Sequence, residues 1–317
     1  MINERIIFFG TPGFAAYQLQ YLLDHKVPVV AVVTTPDRPK GRGRKLQACE
    51  VKEVALKHQL PILEPNNLKN PQFQEELRSY NATLQIVVAF RMLPEAVWNM
   101  PPKGTVNLHA SLLPQYRGAA PINHAIINGE AESGVSTFLL QHKIDTGNIL
   151  LSKRVDINEH DNAGVLHDKL MHAGAPLLLE TVKGLAAETL EGTPQEELIK
   201  EDLKEAPKIF KEDCLLNLQD EVIKIWQKIK GLSPYPGAFI NVQYRNQDLI
   251  LKIYDAKPAS QAVNKGEIRL FKEGNELYLG CKTGALKLLE VQISGKQKMN
   301  YKDFCNGFEV ENIKISL

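Results

Sequence analysis

Three side chains in this 317-residue chain have the types and spacing to surround one reacting centre. Asn107 and His109 stand two apart in Gly104-Thr105-Val106-Asn107-Leu108-His109, which reads as a short strand. Strand side chains alternate between faces, so the amide and the imidazole project from the same side. After His109 the pattern breaks into Ala110-Ser111-Leu112-Leu113-Pro114-Gln115-Tyr116-Arg117-Gly118-Ala119-Ala120-Pro121, an irregular loop. In doubly wound sheets ligands bind at the carboxyl ends of strands, where this pair would sit. The third residue is Asp145, in the turn Lys143-Ile144-Asp145-Thr146-Gly147 between two apolar runs. An Asp in a turn is ordinarily a turn former that bonds nearby backbone N–H groups. Spacing alone leaves structural and catalytic readings open for both Asp145 and His109.

The elements that must position these groups alternate between strand and helix. Residues 5–9 read as a buried strand and 14–25 as a helix, with Gly10-Thr11-Pro12-Gly13-Phe14-Ala15 turning between them. Residues 28–34 are a second β-branched run, and 84–90 another buried strand, with helices at 51–59 and 72–80. Helical pattern follows at 121–128 and 162–190, and strand pattern at 134–140 and 148–155. This order predicts an α/β unit built on a doubly wound, mostly parallel sheet. Residues 191–206 are charged and lack aromatics, and so read as a linker between a domain at 1–190 and another at 207–317. Beyond it, one amphipathic helix at 218–230 precedes short alternating runs at 237–244, 249–256, 266–271, 276–281 and 285–291. Short strands punctuated by Gly and Asn predict a small β-barrel.

Composition bounds the chemistry. Apolar residues make up 44% and charged residues 24%, as in ordinary globular proteins. The N-terminal run is interrupted by Glu4 and Arg5 and does not form a signal peptide, and no apolar run has the length of a membrane span. A cytoplasmic protein without membrane association is expected. The four cysteines make no C-x-x-C pair and the eight histidines no H-E-x-x-H, so no metal is implied. The turn at 10–15 lacks the G-x-G-x-x-G fingerprint, which argues against a nicotinamide enzyme. A net charge of +1 hides an asymmetry, because 207–317 holds 17 Lys and Arg against 13 Asp and Glu. A mildly basic C-terminal third is compatible with nucleic acid.

The run from Asn107 to Pro121, followed by Ile144-Asp145-Thr146-Gly147, resembles the signature of the folate-dependent formyltransferases. The resemblance implies that Asn107, His109 and Asp145 surround the formyl carbon of 10-formyltetrahydrofolate. It also implies that Ser111, Leu112, Leu113 and Pro114 line the folate site. The residue types fit acyl transfer to an amine. Donors aimed at the formyl oxygen stabilise the charge that grows there, and the Asn107 amide and a protonated His109 can both donate. A nearby Asp145 would favour the charged imidazole and help take the proton of the attacking amine, with the division among His109, Asp145 and water left open.

The catalytic core does not name the acceptor. Thr34-Thr35-Pro36-Asp37-Arg38-Pro39-Lys40-Gly41-Arg42-Gly43-Arg44-Lys45-Leu46 resembles the basic loop of the methionyl-tRNA formyltransferases. That likeness assigns Arg38, Lys40, Arg42, Arg44 and Lys45 to the acceptor stem of the initiator methionyl-tRNA, whose phosphates attract Lys and Arg. Ala206 to Asp213 and Ile229 to Phe239 resemble that family's C-terminal, tRNA-binding barrel, and the likeness implies a monomer. Lys208, Lys211, Lys228 and Lys230 are candidates to face phosphates. The alternative is an amino-sugar nucleotide N-formyltransferase with the same donor. Two departures stand out: Ala89-Phe90-Arg91 where relatives often have Ala-Tyr-Gly, and Cys49-Glu50 where they often have Ser-Pro. The first bears on the folate rim and the second on the end of the basic loop.

Overall fold

A computed structural model of the chain describes residue 2 and residues 4–40, 45–259 and 266–316. The strands and helices run in the order β1 (Ile6–Gly10), α1 (Gly13–Asp24), β2 (Val29–Val33), β3 (Arg38–Lys40), β4 (Lys45–Gln47), α2 (Glu50–Lys57), β5 (Ile62–Leu63), α3 (Pro71–Ser79), β6 (Leu84–Val88), α4 (Glu95–Trp98), β7 (Thr105–His109), β8 (Arg117–Gly118), α5 (Pro121–Ile127), β9 (Glu132–Leu139), β10 (Ile149–Asp156) and α6 (Ala163–Ala186). They continue as β11 (Glu205–Ala206), α7 (Val222–Gly231), β12 (Ala238–Tyr244), β13 (Gln247–Pro258), β14 (Leu270–Glu273), β15 (Glu276–Cys281), β16 (Gly284–Ile293), β17 (Met299–Asn300), α8 (Tyr301–Gly307) and β18 (Lys314–Ser316). Among the described residues no helix is long and apolar enough to cross a membrane.

The chain divides into two compact units. The first comprises Met1–Gly118, Ser133–Val155 and His167–Glu205. Its sheet has the order β10-β9-β7-β6-β1-β2-β5. Strands β5, β2, β1, β6 and β7 run parallel to their neighbours, while β9 pairs antiparallel with β7. All five residues of β1 are buried, as a central parallel strand covered on both faces requires. Ile7, Phe9, Ala31, Val33 and Val87 pack with Phe73, Leu77 and Val97.

The second unit gathers Ala206–Leu317 with Ala119–Glu132 and Asp156–Leu166. A continuous cut near residue 200 therefore does not describe the compact units: α5 groups with α7. A Cβ on Gly231 would stand 2.4 Å from Ile127, so glycine is what lets the two helices approach this closely. The Asn123 amide donates to the Gly231 carbonyl at 2.7 Å across the same contact. Strands β14-β15-β16-β13-β12-β18 form an antiparallel half-barrel. Helix α7 buries Ile225, Trp226 and Ile229 in its core, and the Trp226 ring N–H donates to the Ala256 carbonyl at 2.7 Å.

One polar cluster ties the starts of three strands in the first unit. Buried Glu4, just before β1, accepts from the Thr83 hydroxyl, next to β6, and pairs with Lys103, ahead of β7, at 2.9 Å. Burial works to raise the Glu4 pKa, but the Thr83 and Lys103 contacts outweigh it and hold the carboxyl below its ordinary value. A carboxyl with a depressed folded-state pKa contributes stability above its unfolded pKa and loses it as pH falls through the folded value. Glu4→Gln is therefore expected to lower the urea midpoint at neutral pH. Its gap to the wild type should close in acid, below about pH 4. A gap of equal size in acid and at neutrality would show that the carboxylate charge is not the cause.

Candidate active site

His109 ends β7, and its ring lies buried with an edge-on contact to Phe138 of β9 at 6.5 Å between centroids. Its Nε2 is 2.9 Å from the carbonyl oxygen of Tyr116. A carbonyl only accepts, so Nε2 carries the proton of that bond. The other nitrogen, Nδ1, faces Asp145 Oδ2 at 3.9 Å, an ion-pair separation too long for a direct hydrogen bond. Asn107 projects from the same face of β7 and is half-buried. Its amide has no hydrogen-bond partner among the described residues, so its N–H groups remain available.

Asp145 is held by its surroundings more than by its own turn. Its backbone is in the left-handed region at φ +52, which costs a side-chain-bearing residue about 1–2 kcal/mol. Oδ2 accepts from the Gly118 N–H at 3.0 Å. Two residues on, Gly147 lies flat against β9: a Cβ there would be 1.6 Å from the Leu139 carbonyl oxygen. Gln195 donates to the carbonyls of Asp145 at 2.9 Å and Gly147 at 2.8 Å. Its own carbonyl accepts from Arg117 Nη2 at 2.7 Å and Nε at 3.0 Å.

The Ser-Leu-Leu-Pro run is mostly turned inward. Ser111, Leu113 and Pro114 are buried, while Leu112 is half-buried. The Ser111 hydroxyl is occupied by the Gln115 carbonyl at 2.6 Å. Ser136 of β9 donates to the Ser111 carbonyl at 2.8 Å and accepts from the Leu113 N–H at 3.1 Å. This run therefore offers a ligand backbone and the Leu112 side chain more readily than the Ser111 hydroxyl.

Of the five basic-loop residues, Arg42 and Arg44 lie outside the described residues, and Lys40 and Lys45 are described in backbone only. Arg38 is exposed. Within the segment expected as a loop, β3 and β4 form a two-stranded arm, antiparallel from Arg38↔Gln47 to Lys40↔Lys45. Lys52 secures its base: Nζ is 2.7 Å from Asp37 and 2.9 Å from Glu64, and hydrogen bonds to Asp37 and then Glu64 raise the Lys52 pKa. Cys49 bonds the Thr34 hydroxyl through Sγ at 2.9 Å. Arg91 reaches the Pro65 and Asn66 carbonyls, and burial, followed by repulsion from Arg38, lowers its pKa.

Two C-terminal lysines are half-buried and committed to backbone carbonyls. Lys228 Nζ donates to the Leu215 carbonyl at 2.8 Å, and Lys230 Nζ to the Glu159 carbonyl at 2.5 Å while lying 4.0 Å from the Trp226 ring centre. Burial lowers the Lys230 pKa. Neither is a free phosphate contact. Lys211 remains exposed, as does Lys208, which lies 5.1 Å from the Phe210 ring centre. Among the described residues no three His, Cys, Asp or Glu side chains are grouped to hold a metal ion.

Sequence reasoning singled out Asn107, His109 and Asp145; the structure has the first two on one face of β7 and His109 Nδ1 3.9 Å from Asp145. That reasoning missed the Tyr116 carbonyl, the Gly118 N–H and Gln195. The first two are backbone groups, invisible to residue type. Gln195 lies in the stretch read as a linker and carries no local signal.

Comparison with known proteins adds an independent finding. A family model described as formyl transferase matches residues 4–182, and one described as formyl transferase, C-terminal domain, matches 208–309. Methionyl-tRNA formyltransferase of Phocaeicola vulgatus is 48% identical, with 98% of each chain covered. That of Bacteroides fragilis is 45% identical over 96% of this chain and 95% of its own. Among solved structures, an N-formyltransferase from Helicobacter canadensis, bound to folinic acid and dTDP-3-aminofucose, has a TM-score of 0.60 at 17% identity. That likeness covers 91% of this chain and 99% of the other, and it shows the fold.

The Tyr116 contact dictates a tautomer. Nitrogen–proton NMR of the neutral His109 ring is expected to find the proton on Nε2, in the wild type and in Asp145→Asn alike. A proton on Nδ1 would mean that Asp145, and not the Tyr116 carbonyl, sets the ring.

Proposed function

This chain belongs to the methionyl-tRNA formyltransferase family, and on that premise we propose that Asn107, His109 and Asp145 carry its chemistry. The reaction moves the formyl group of 10-formyltetrahydrofolate to the amino group of methionine on the initiator tRNA. The observation that carries the activity is identity of 44–48% to methionyl-tRNA formyltransferases along about 96% of the chain.

The geometry supports a division of labour. The Asn107 amide, without a protein partner among the described residues, donates to the formyl oxygen as the carbon becomes tetrahedral. Since Tyr116 occupies Nε2 of His109, Nδ1 is the ring atom that serves the reacting groups. Asp145, 3.9 Å from Nδ1, receives the proton lost by the amine, directly or through water. The tetrahedral intermediate then collapses, the bond between the formyl carbon and N10 breaks, and tetrahydrofolate leaves with a proton on N10 in place of the one the amine lost, so no covalent enzyme intermediate is needed. Backbone groups of Ser111, Leu112, Leu113 and Pro114 and the Leu112 side chain line the folate donor. Arg38, Lys40, Arg42, Arg44 and Lys45, on or beside the β3–β4 arm, meet the acceptor-stem phosphates. This reading includes a monomeric enzyme of the cytoplasm.

The amino-sugar alternative shares donor and core and differs in acceptor. Formyl transfer should be measured to initiator Met-tRNA, elongator Met-tRNA and a nucleotide-linked amino sugar in parallel. Formylation confined to the initiator is expected, and formylation of the sugar alone would refute the reading. Asn107→Ala should lower kcat about 100- to 1,000-fold, the usual cost of one such donor. Asp145→Asn and His109→Ala, where activity remains, should change the shape of the pH–rate profile. An unchanged shape would remove them from the proton transfers.

The arm makes a separate prediction. Arg42→Ala, and Lys52→Met at the arm's base, should raise KM for tRNA while leaving tRNA-independent turnover of formyl folate intact. Equal losses in both assays would put these residues in the core chemistry instead.

A further inference from the structure

We propose that Gln195, backed by Arg117, is a positioning residue for formyl transfer, which it serves by holding the turn that carries Asp145. The inference rests on the role given to Asp145 above.

Gln195 is fully buried, whereas Thr193 before it and Glu196 to Lys200 after it are exposed. A carboxamide has two N–H donors and two acceptor sites on its oxygen, and here all four are used. The nitrogen donates to the Asp145 and Gly147 carbonyls, while the oxygen accepts two N–H groups from the Arg117 guanidinium. The arrangement fixes the amide orientation, because a flip would set NH2 against guanidinium and oxygen against two carbonyls.

The turn needs this support. Asp145 sits at φ +52, a conformation that persists only where surrounding contacts over-determine it. The segment bearing Gln195 is itself fastened beside the turn, with Thr193 and Ile149 exchanging backbone hydrogen bonds of 2.8 and 2.9 Å. Arg117 directly precedes Gly118, whose N–H holds the Asp145 carboxylate. The backbone of Asp145 is thus held through Arg117 and Gln195, and its side chain by the next residue along. Loss of the Gln195 amide leaves two carbonyls without donors and the Asp145 carboxylate held by the Gly118 N–H alone, on a turn free to shift relative to His109.

The test uses the full chain with both substrates. Gln195→Ala should lower kcat about 10- to 100-fold, the scale of a misplaced catalytic group, with KM for tRNA and folate unchanged. Gln195→Glu keeps the side-chain shape and an acceptor for Arg117 but offers the carbonyls no donor, so it should show the same kcat-only loss if Gln195→Ala does not fold. Glu196→Ala, on the exposed neighbour, should match the wild type. In an Asp145→Asn background with residual activity, either Gln195 change should add no further loss. An additive loss there, a rise in KM with kcat intact, or full activity of both Gln195 variants beside an impaired Asp145→Asn would overturn the inference and leave the catalytic reading standing. Full activity of Asp145→Asn itself would overturn the reading of Asp145, and this inference with it.

Discussion

The hydrogen bond from His109 Nε2 to the Tyr116 carbonyl is the contact that orients the imidazole of the candidate site. An imidazole has two nitrogens of opposite character when neutral, and a fixed acceptor on one decides what the other can do. Tyr116 can present its carbonyl because its backbone is left-handed at φ +62 and its N–H is held by the Lys204 carbonyl at 2.7 Å. The Gln115 side chain adds to this, donating to the Asp202 carbonyl and accepting from the Lys204 N–H. The orientation of one ring on β7 is thus set partly by residues some ninety positions later in the chain.

Close approach is the second constraint. The turn bearing Asp145 reaches His109 by lying against Phe138 and Leu139 of β9, and only a residue without a side chain fits at Gly147. Gly134 makes a similar allowance, since a Cβ there would stand 2.4 Å from Leu112. Bulk at Gly134 of β9 or at Gly147 of the turn would push apart the segments packed there. Antiparallel pairing of β9 with β7, His109 opposite Ser136, also sets the Ser136 hydroxyl where it clamps the Ser111–Leu113 backbone.

Charge is distributed by task. Arg38 is exposed on the β3–β4 arm, while the single acid of that segment, Asp37, is neutralised by Lys52. Lys52 is largely covered and serves Asp37 and Glu64 at once, so it shapes the base of the arm. Lys228 and Lys230, by contrast, spend their ammonium groups on backbone carbonyls. Their sequence neighbourhood resembles that of a surface cation, which is why composition could not separate them from Lys208 and Lys211.

Residue type and spacing alone determined a good deal. The β-branched runs marked β1, β2 and β6, because strands buried on both faces need continuous apolar sequence. Period-two alternation put Asn107 and His109 on one face, while it was the resemblance of the Asn107–Pro121 run and of Asp145-Thr146-Gly147 to the folate-dependent formyltransferases, and not spacing, that pointed to the reacting set. Those signals are local. The β3–β4 arm was not legible, since strands of three residues, Arg38–Lys40 and Lys45–Gln47, are too short to carry an apolar period. Nor was the grouping of α5 with the C-terminal unit, which depends on the close fit at Gly231. Tertiary structure alone decided that Tyr116 and Gly118 act through their backbones and that Gln195 is buried where its flanks are exposed. Every residue has the same backbone groups, and an amide in a charged stretch looks like solvent-facing chain. Only folding determines which carbonyls and N–H groups meet, because those partners lie far apart in sequence and are joined by packing that no local pattern encodes.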